Sequence, residues 1–306
     1  MVIRTISTTF NYDYIYDYLF YPNGIVEAKT SLSGYLQSYH YDHGFNEDAY
    51  ATRIQESTIG TLHDHFIGYK IDLDVLGTNN IFEMVHVDKE TITVPYLSYP
   101  ITQKKLTKEV LQNDANGGLH ANFERPTFFL VSNTNEKNKW GYNRSYRIDN
   151  TKPMKAVAVG DERSIGASFT KYQIGVTQFK DTENYLTSPF CIYNPGGCPL
   201  TFDDYLDGDN LVEEDLVIWA SIGMMHLPGA EDAPSTESIG HTGSILIRPH
   251  NYFDEDPGMV TRNGPIYRRD TPDGSVQQDQ AIKEGKPCIQ NKSNVPEYDG
   301  NAVVLE

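Results

Sequence analysis

The sequence predicts an all-β chain, built as a large antiparallel β-sandwich. Short β-branched or aromatic segments recur along it, turn-forming residues separate them, and helical periodicity is nearly absent. Val2-Ile3-Arg4-Thr5-Ile6-Ser7 alternates as a half-buried strand does. The further strand segments, in order, are Tyr14 to Phe20, Ile25 to Ala28, Phe66 to Val75, Thr91 to Tyr96, Thr127 to Val131, Tyr172 to Thr177, Leu216 to Ile222 and Ser244 to Ile247. Pro22-Asn23-Gly24 reads as a hairpin turn. Only Thr107 to Asn113 carries helical spacing, and no internal repeat occurs. Residues 1–256 are expected to form the sandwich. From Pro257 to Glu306 apolar residues thin out, so residues 257–306 are expected to run as an extended C-terminal tail.

Composition narrows the function. With 25 Lys and Arg against 42 Asp and Glu, the formal charge of −17 disfavours a nucleic-acid or anionic-membrane partner. No apolar run approaches the roughly 18 residues of a membrane-spanning helix. The 306 residues are 39% hydrophobic, 21 tyrosines included, so the chain can bury a large core. The first residues lack the basic start, long apolar stretch and cleavage site of a targeting signal. Three cysteines are too few for a disulfide framework, but Cys191 and Cys198 flank a turn-rich loop that one bridge can close, while Cys288 has no evident partner. Asn143-Arg144-Ser145 and Asn291-Lys292-Ser293 are glycosylation sequons of a kind that also arises by chance.

His63-Asp64-His65 places two imidazoles on one face of a strand, because side chains two apart share a face. His226, at the end of the apolar strand that begins at Leu216, is a third donor. Three neutral imidazoles suit copper, zinc, iron or nickel. Taken alone, a His-x-His pair is more often two ordinary hydrogen-bonded histidines. His40-Tyr41-Asp42-His43 reads as a polar loop.

Thr8-Thr9-Phe10-Asn11-Tyr12-Asp13-Tyr14 changes that balance. It resembles the signature of the copper amine oxidases, in which Asn-Tyr-Asp/Glu-Tyr holds the tyrosine that becomes the quinone cofactor topaquinone. The resemblance continues in order through Tyr21-Pro22-Asn23-Gly24, Leu62-His63-Asp64-His65, Asp72 to Asn79, Lys139-Trp140-Gly141, Asp215-Leu216-Val217, His226-Leu227-Pro228, Glu231-Asp232-Ala233-Pro234 and Asn251 to Pro257. The spacings are those of the animal-type subgroup. The resemblance implies the C-terminal catalytic domain of that family, incomplete on its N-terminal side. It makes Tyr12 the topaquinone precursor, Asn11 the residue that orients the cofactor, and His63, His65 and His226 the ligands of copper(II).

That chemistry needs these residue types. A phenol of pKa near 10 is inert at neutral pH, and a cupric ion favours the phenolate that reacts with dioxygen. The quinone then condenses with a primary amine, and the family's products are an aldehyde, ammonia and hydrogen peroxide. The cofactor carries the redox chemistry and the protein orients it.

Asp72 and Asp74, with Leu73 between them, offer oxygen ligands of the kind calcium takes. By the resemblance, these three positions join Asp215 and the carbonyl of Leu216 in a calcium site. A second such site maps to Glu183, Asp207, Asp209 and the carbonyl of Tyr205, with Glu109 a candidate for its remaining ligand. Without its neighbours, Asp207-Gly208-Asp209 reads as a solvated acidic turn. The chain passes from copper to calcium between His65 and Asp72, and from calcium to copper between Asp215 and His226. These two strands are therefore expected to lie antiparallel, with the two sites roughly 20 Å or more apart at about 3.3 Å per residue.

The resemblance further implies a homodimer, an extracellular or secretory location for the full-length protein, and a general-base aspartate far upstream of the cofactor tyrosine. Only eleven residues precede Tyr12, and the chain alone is accordingly expected to turn over slowly or not at all. A non-catalytic metal-binding β-sandwich and a three-histidine zinc hydrolase are the competing readings; neither needs Asn-Tyr-Asp-Tyr.

Overall fold

The structure is a computed structural model that describes residues 1–42, 49–157, 162–191, 197–257, 266–268 and 277–279. Cys288, the Asn291 sequon and His43 lie outside the described residues, as does most of the segment after Pro257. The chain divides into two units, Met1–Asp254 and Glu255–Glu306. In the second, β17 (Ile266–Arg268) and β18 (Gln277–Asp279) pair antiparallel. The remaining described strands belong to the first unit.

Its described strands form an antiparallel sandwich. One sheet runs in the order β1 (Val2–Thr9), β2 (Tyr12–Phe20), β3 (Val26–Gly34), β16 (Thr242–His250), β12 (Asn143–Asn150), β11 (Thr127–Lys137), β8 (Asn80–Ile92) and β14 (Val212–Glu214), with β9 (Ile101–Val110) also paired to β8. The other runs β10 (Gly118–Leu119), β13 (Ile174–Gln178), β15 (Leu216–His226) and β7 (His63–Asp72). A small third sheet joins β4 (Ser38–His40), β6 (Thr58–Thr61) and β5 (Ala51–Gln55). Among the described residues no helix is long and apolar enough to cross a membrane.

The core lies between the two larger sheets. Leu32 of β3, Phe82 of β8, Val131 of β11 and Ile245 of β16 meet Ile67 of β7, Val176 of β13 and Ile218 and Ile222 of β15. Burying each such side chain stabilises the fold by roughly 1.5–3 kcal/mol. β15 is covered on both faces. Leu216, Ile218, Ala220, Ile222 and Met224 enter this core, while Val217 and Trp219 on the other face pack with Phe202 and Tyr205. A strand buried on both sides needs no polar alternation, which explains its unbroken apolar run. The hairpin at Pro22-Asn23-Gly24 joins β2 to β3, and Gly24 supplies its φ of +84°.

Three local expectations are corrected. Thr107–Val110 is the end of strand β9 and not helix: this strand is solvent-exposed along most of its length, so its Thr and Lys positions carry no face-specific signal. β8 covers Asn80–Ile92, so the strand expected over Thr91 to Tyr96 is centred too late. Buried Asn80, Glu83 and His86 interrupt its apolar pattern. β1 is a strand, but it is exposed and not half-buried; Val2, Ile3 and Ile6 are each more than half exposed, because β1 is the edge of its sheet. Cys191 and Cys198 are disulfide-bonded. The Asn143 sequon opens β12: Asn143 accepts from Lys137, and Ser145 is buried against Ser132.

Candidate metal and cofactor site

β7 and β15 pair antiparallel with His63 opposite His226 and His65 opposite Met224. The register brings the ring nitrogens of His63, His65 and His226 within 4.8 Å of one another. His65 and His226 are buried. From the other sheet, β2 delivers Tyr12, 4% exposed, into the same cluster. Its hydroxyl lies 2.9 Å from Nε2 of His63 and 3.2 Å from Nδ1 of His226.

The surrounding hydrogen bonds fix which nitrogens carry protons. His63 donates from Nδ1 to the carbonyl of Thr61 at 2.7 Å. His226 donates from Nε2 to the Asp232 carboxylate at 3.1 Å. Both acceptors lack a proton to give, so Nε2 of His63 and Nδ1 of His226 present lone pairs toward Tyr12. His65 meets the Tyr14 hydroxyl through Nδ1 at 3.1 Å, and its Nε2 is buried with no partner. Two imidazole lone pairs thus converge on one phenolic proton, beside an orphaned third nitrogen. A cation satisfies that set, and the hydroxyl alone does not.

Electrostatics agree. Burial, reinforced by His63 and His226, pushes His65 down to about 4, and burial also lowers His226. Both rings are neutral and ready to ligate at neutral pH. Burial raises Tyr12 above an ordinary phenol, so its ionisation at neutral pH needs a neighbouring positive charge.

Asn11 does not reach the Tyr12 ring through its side chain. Its amide donates to the carbonyl of Tyr35, and the Tyr35 N–H returns a bond to the Asn11 carbonyl at 2.7 Å. Asn11 therefore anchors the main chain just before Tyr12. Gly34 faces Tyr12 across β2 and β3 with φ +97°, and a Cβ there would stand 2.6 Å from the Asn11 carbonyl oxygen.

At the far end of the β7–β15 pair, Asp72 lies opposite Val217 and forms a cluster with Asp74 and Asp215 within 4.8 Å. Oδ1 of Asp215 is buried without a partner. Leu73 packs its side chain on the core between the two acids, and Leu216 begins β15. The antiparallel arrangement and the separation of the two clusters follow directly from this ladder.

A second acidic cluster joins Asp114, Asp207 and Asp209 within 4.8 Å. Glu183 is tied to it through Lys180, whose ammonium contacts Glu183 at 3.3 Å, Asp207 at 2.9 Å and Asp209 at 2.6 Å. Asp114 and Glu183 each keep one buried oxygen unpaired. Tyr205 packs beside them and donates its hydroxyl to the Tyr185 carbonyl. Glu109 lies elsewhere, against His86 at 3.4 Å. The carboxylate that completes the group is Asp114, which a 3-10 turn and the Asn113–Asn210 bridge carry there.

The family model described as copper amine oxidase, enzyme domain, matches residues 1–266. The chain belongs to the copper amine oxidase family. It is 33% identical to the copper-containing diamine oxidase of Mus musculus over 294 residues, which cover 94% of this chain and 38% of that protein. The Homo sapiens diamine oxidase is 32% identical over 293 residues, with the same shares covered. Among solved structures, Aspergillus nidulans amine oxidase superposes with a TM-score of 0.79 at 27% identity, over all of this chain and 39% of that one. Pichia pastoris lysyl oxidase does so with a TM-score of 0.78 at 25% identity, over 99% and 41%. The chain thus spans about two fifths of the length of these relatives.

A copper amine oxidase implies copper, and the three-histidine cluster has the donor chemistry for it. Sequence reasoning left Asp232, Tyr14 and Thr61 without roles. The period-two spacing from Tyr12 could have marked Tyr14. Asp232 stands in the Glu231-Asp232-Ala233-Pro234 motif, but its bond to His226, like that of the Thr61 carbonyl to His63, is set by folded geometry.

Proposed function

We propose that this chain forms the cofactor-bearing part of a primary-amine oxidase, with His63, His65 and His226 holding copper(II) and Tyr12 the precursor of topaquinone. When present, copper and the quinone supply the redox chemistry that converts a primary amine and dioxygen to aldehyde, ammonia and hydrogen peroxide. The convergence of imidazole lone pairs on the Tyr12 hydroxyl carries this reading; a hydrolytic three-histidine site has no need of a tyrosine there. Asp232 and the Thr61 carbonyl hold the donor nitrogens inward, Tyr14 steadies His65, and Asn11 and Gly34 set the main chain that presents Tyr12.

Neither carboxylate flanking Tyr12 on β2 serves as the general base. Asp13 accepts from Thr8 at 2.5 Å, and Asp17 is clamped by Arg4 at 2.6 and 2.8 Å, both on the strand face opposite Tyr12. A general base contributes on the order of 10²- to 10⁴-fold to proton abstraction, and these two carboxylates do not supply it. Calcium at Asp72, Leu73, Asp74, Asp215 and Leu216 is a structural ion in this reading, with a second bound by Asp114, Glu183, Tyr205, Asp207 and Asp209. The whole protein is proposed to be a homodimer of the extracellular or secretory compartment.

Aerobic copper addition to the metal-free chain tests the assignment. Wild type should develop a quinone that stains by redox cycling, and Tyr12→Phe should bind copper without staining. A stained Tyr12→Phe protein, or a copper-loaded wild type that never stains, overturns it.

A further inference from the structure

His226 has two edges. Its Nδ1 faces Tyr12, and its Nε2 faces away toward Asp232. On that second side stands His241, whose ring centroid lies 4.0 Å from that of His226. Donor atoms of His226, Asp232 and His241 fall within 4.8 Å of one another. The residues come from three neighbouring places: the end of β15, the 3-10 turn Ala230–Asp232, and the residue just before β16.

We propose that His226, Asp232 and His241 form a second divalent-cation site, joined to the three-histidine centre through the shared His226 ring. Three features support it. First, His241 donates from Nδ1 to the Glu237 carbonyl at 2.8 Å, which leaves the lone pair on Nε2 free to ligate. Second, Oδ1 of Asp232 accepts only the Glu237 N–H, at 3.2 Å, whereas Oδ2 already accepts from Gly229 and His226. A carboxylate oxygen has two acceptor positions, so Oδ1 retains one. Third, His241 is half-buried at the edge of the group while His226 and Asp232 are buried behind it. An ion can therefore arrive from solvent and find the Asp232 carboxylate and the His226 ring already in place, with the Nε2 proton of His226 to be released on binding.

Two imidazoles and one carboxylate suit zinc or copper(II), with positions left for water. Ligand bonds of about 2.0–2.1 Å place tetrahedral donors roughly 3.3 Å apart, so side-chain shifts of about an ångström close the group. The two nitrogens of one ring point in divergent directions, so the second ion does not compete with the first for a lone pair. It displaces the Nε2 proton of His226 to solvent and replaces the hydrogen bond to Asp232 with a shared cation.

The test uses the full chain loaded with a single equivalent of copper, in excess calcium, so that the second site is not already filled and the acidic clusters are not free to take the probe. Zinc is added, and metal per chain is counted by mass spectrometry while the copper electron paramagnetic resonance spectrum is followed. Wild type should hold one copper and gain one zinc, with a change in the copper spectrum as zinc binds. His241→Asn should keep its one copper, lose the zinc equivalent and show no spectral change. His241→Asp, which restores a donor, should recover zinc uptake at lower affinity. Retention of one copper certifies that a variant is folded and separates this site from the copper assignment. Wild type that takes up no zinc beyond its copper, or His241→Asn that binds zinc as wild type does, overturns the proposal.

Discussion

The Asp232 carboxylate accepts from Nε2 of His226 at 3.1 Å and so turns the other nitrogen of that buried ring toward Tyr12. Burial opposes the ionisation of Asp232, but bonds from the Gly229 and Glu237 amides and from His226 outweigh it and hold the carboxyl below its usual range. The anion is thus maintained by groups that also fix its position.

Asp232→Asn should weaken copper binding by about 10- to 100-fold, the usual cost of losing a partner that orients a ligating histidine. A competition titration against a chelator of known affinity measures this. An affinity equal to wild type would show that His226 is positioned by packing alone.

Gly34→Ala should disturb Tyr12 and spare the metal. The added methyl would lie 2.6 Å from the Asn11 carbonyl and 2.9 Å from the Asp13 nitrogen, at a φ of +97° that L-residues rarely adopt. Strain of about 1–3 kcal/mol should lower the melting temperature and slow quinone formation. Copper stoichiometry should hold, since the histidines belong to β7 and β15. Normal quinone formation at wild-type stability would contradict this role for Gly34.

The metal-free chain should lose stability as pH falls from about 6.5 toward 4. An unfolded histidine titrates near 6.5, whereas burial holds His65 at about 4. Between these values the unfolded chain binds a proton that the folded chain refuses, so acid favours unfolding, by on the order of 3 kcal/mol across the window. Urea melts at pH 7, 5.5 and 4.5 should reveal the slope, and His65→Asn should flatten it. Equal slopes in the two proteins would remove His65 as the cause.

Calcium should stabilise the chain more at pH 7 than at pH 4. Burial, with the neighbouring carboxylates, raises Asp72 and Asp215. Without an ion these groups bind protons more tightly folded than unfolded, so metal-free stability falls as pH rises through the carboxylate range. The gain in melting temperature on adding calcium should grow correspondingly. Asp72→Ala and Asp215→Ala should each reduce that gain, and their effects should not add, because both remove one site. An equal gain at both pH values would argue against a calcium-binding acidic cluster.

The parts legible in the sequence are those that strand geometry encodes locally. Period two placed His63 and His65 on one face, and the apolar run from Leu216 to Ile222 marked a strand. The opposed order in which the family resemblance sets copper and calcium ligands along β7 and β15 implied their antiparallel pairing, which the ladder has. What escaped depends on distant chain. Asp114 and Glu109 are both acids near β9, and only the Asn113–Asn210 bridge shows which of them meets Asp207. β8 hid because Glu83 and His86 are buried with polar partners, Ser132 and Thr127, that a hydrophobicity pattern cannot foresee. Val2, Ile3 and Ile6 read as core positions of a half-buried strand, yet they lie on an edge strand, and only the sheet order reveals it.

The β7–β15 ladder also makes this region intolerant of changes in length. The histidine and acidic clusters occupy opposite ends of one continuous pairing, from His63 opposite His226 to Asp72 opposite Val217. A single residue inserted between them in β7 would reverse the facing of every side chain beyond it, so one cluster could assemble only at the other's expense. Two inserted residues would restore the facing but displace one end by about 6.6 Å along the strand, farther than a side-chain rotation recovers. Parity and distance must both be kept, so drift in this segment is confined to substitution. Insertions and deletions must accumulate in the loops, where they leave the count between the clusters unchanged.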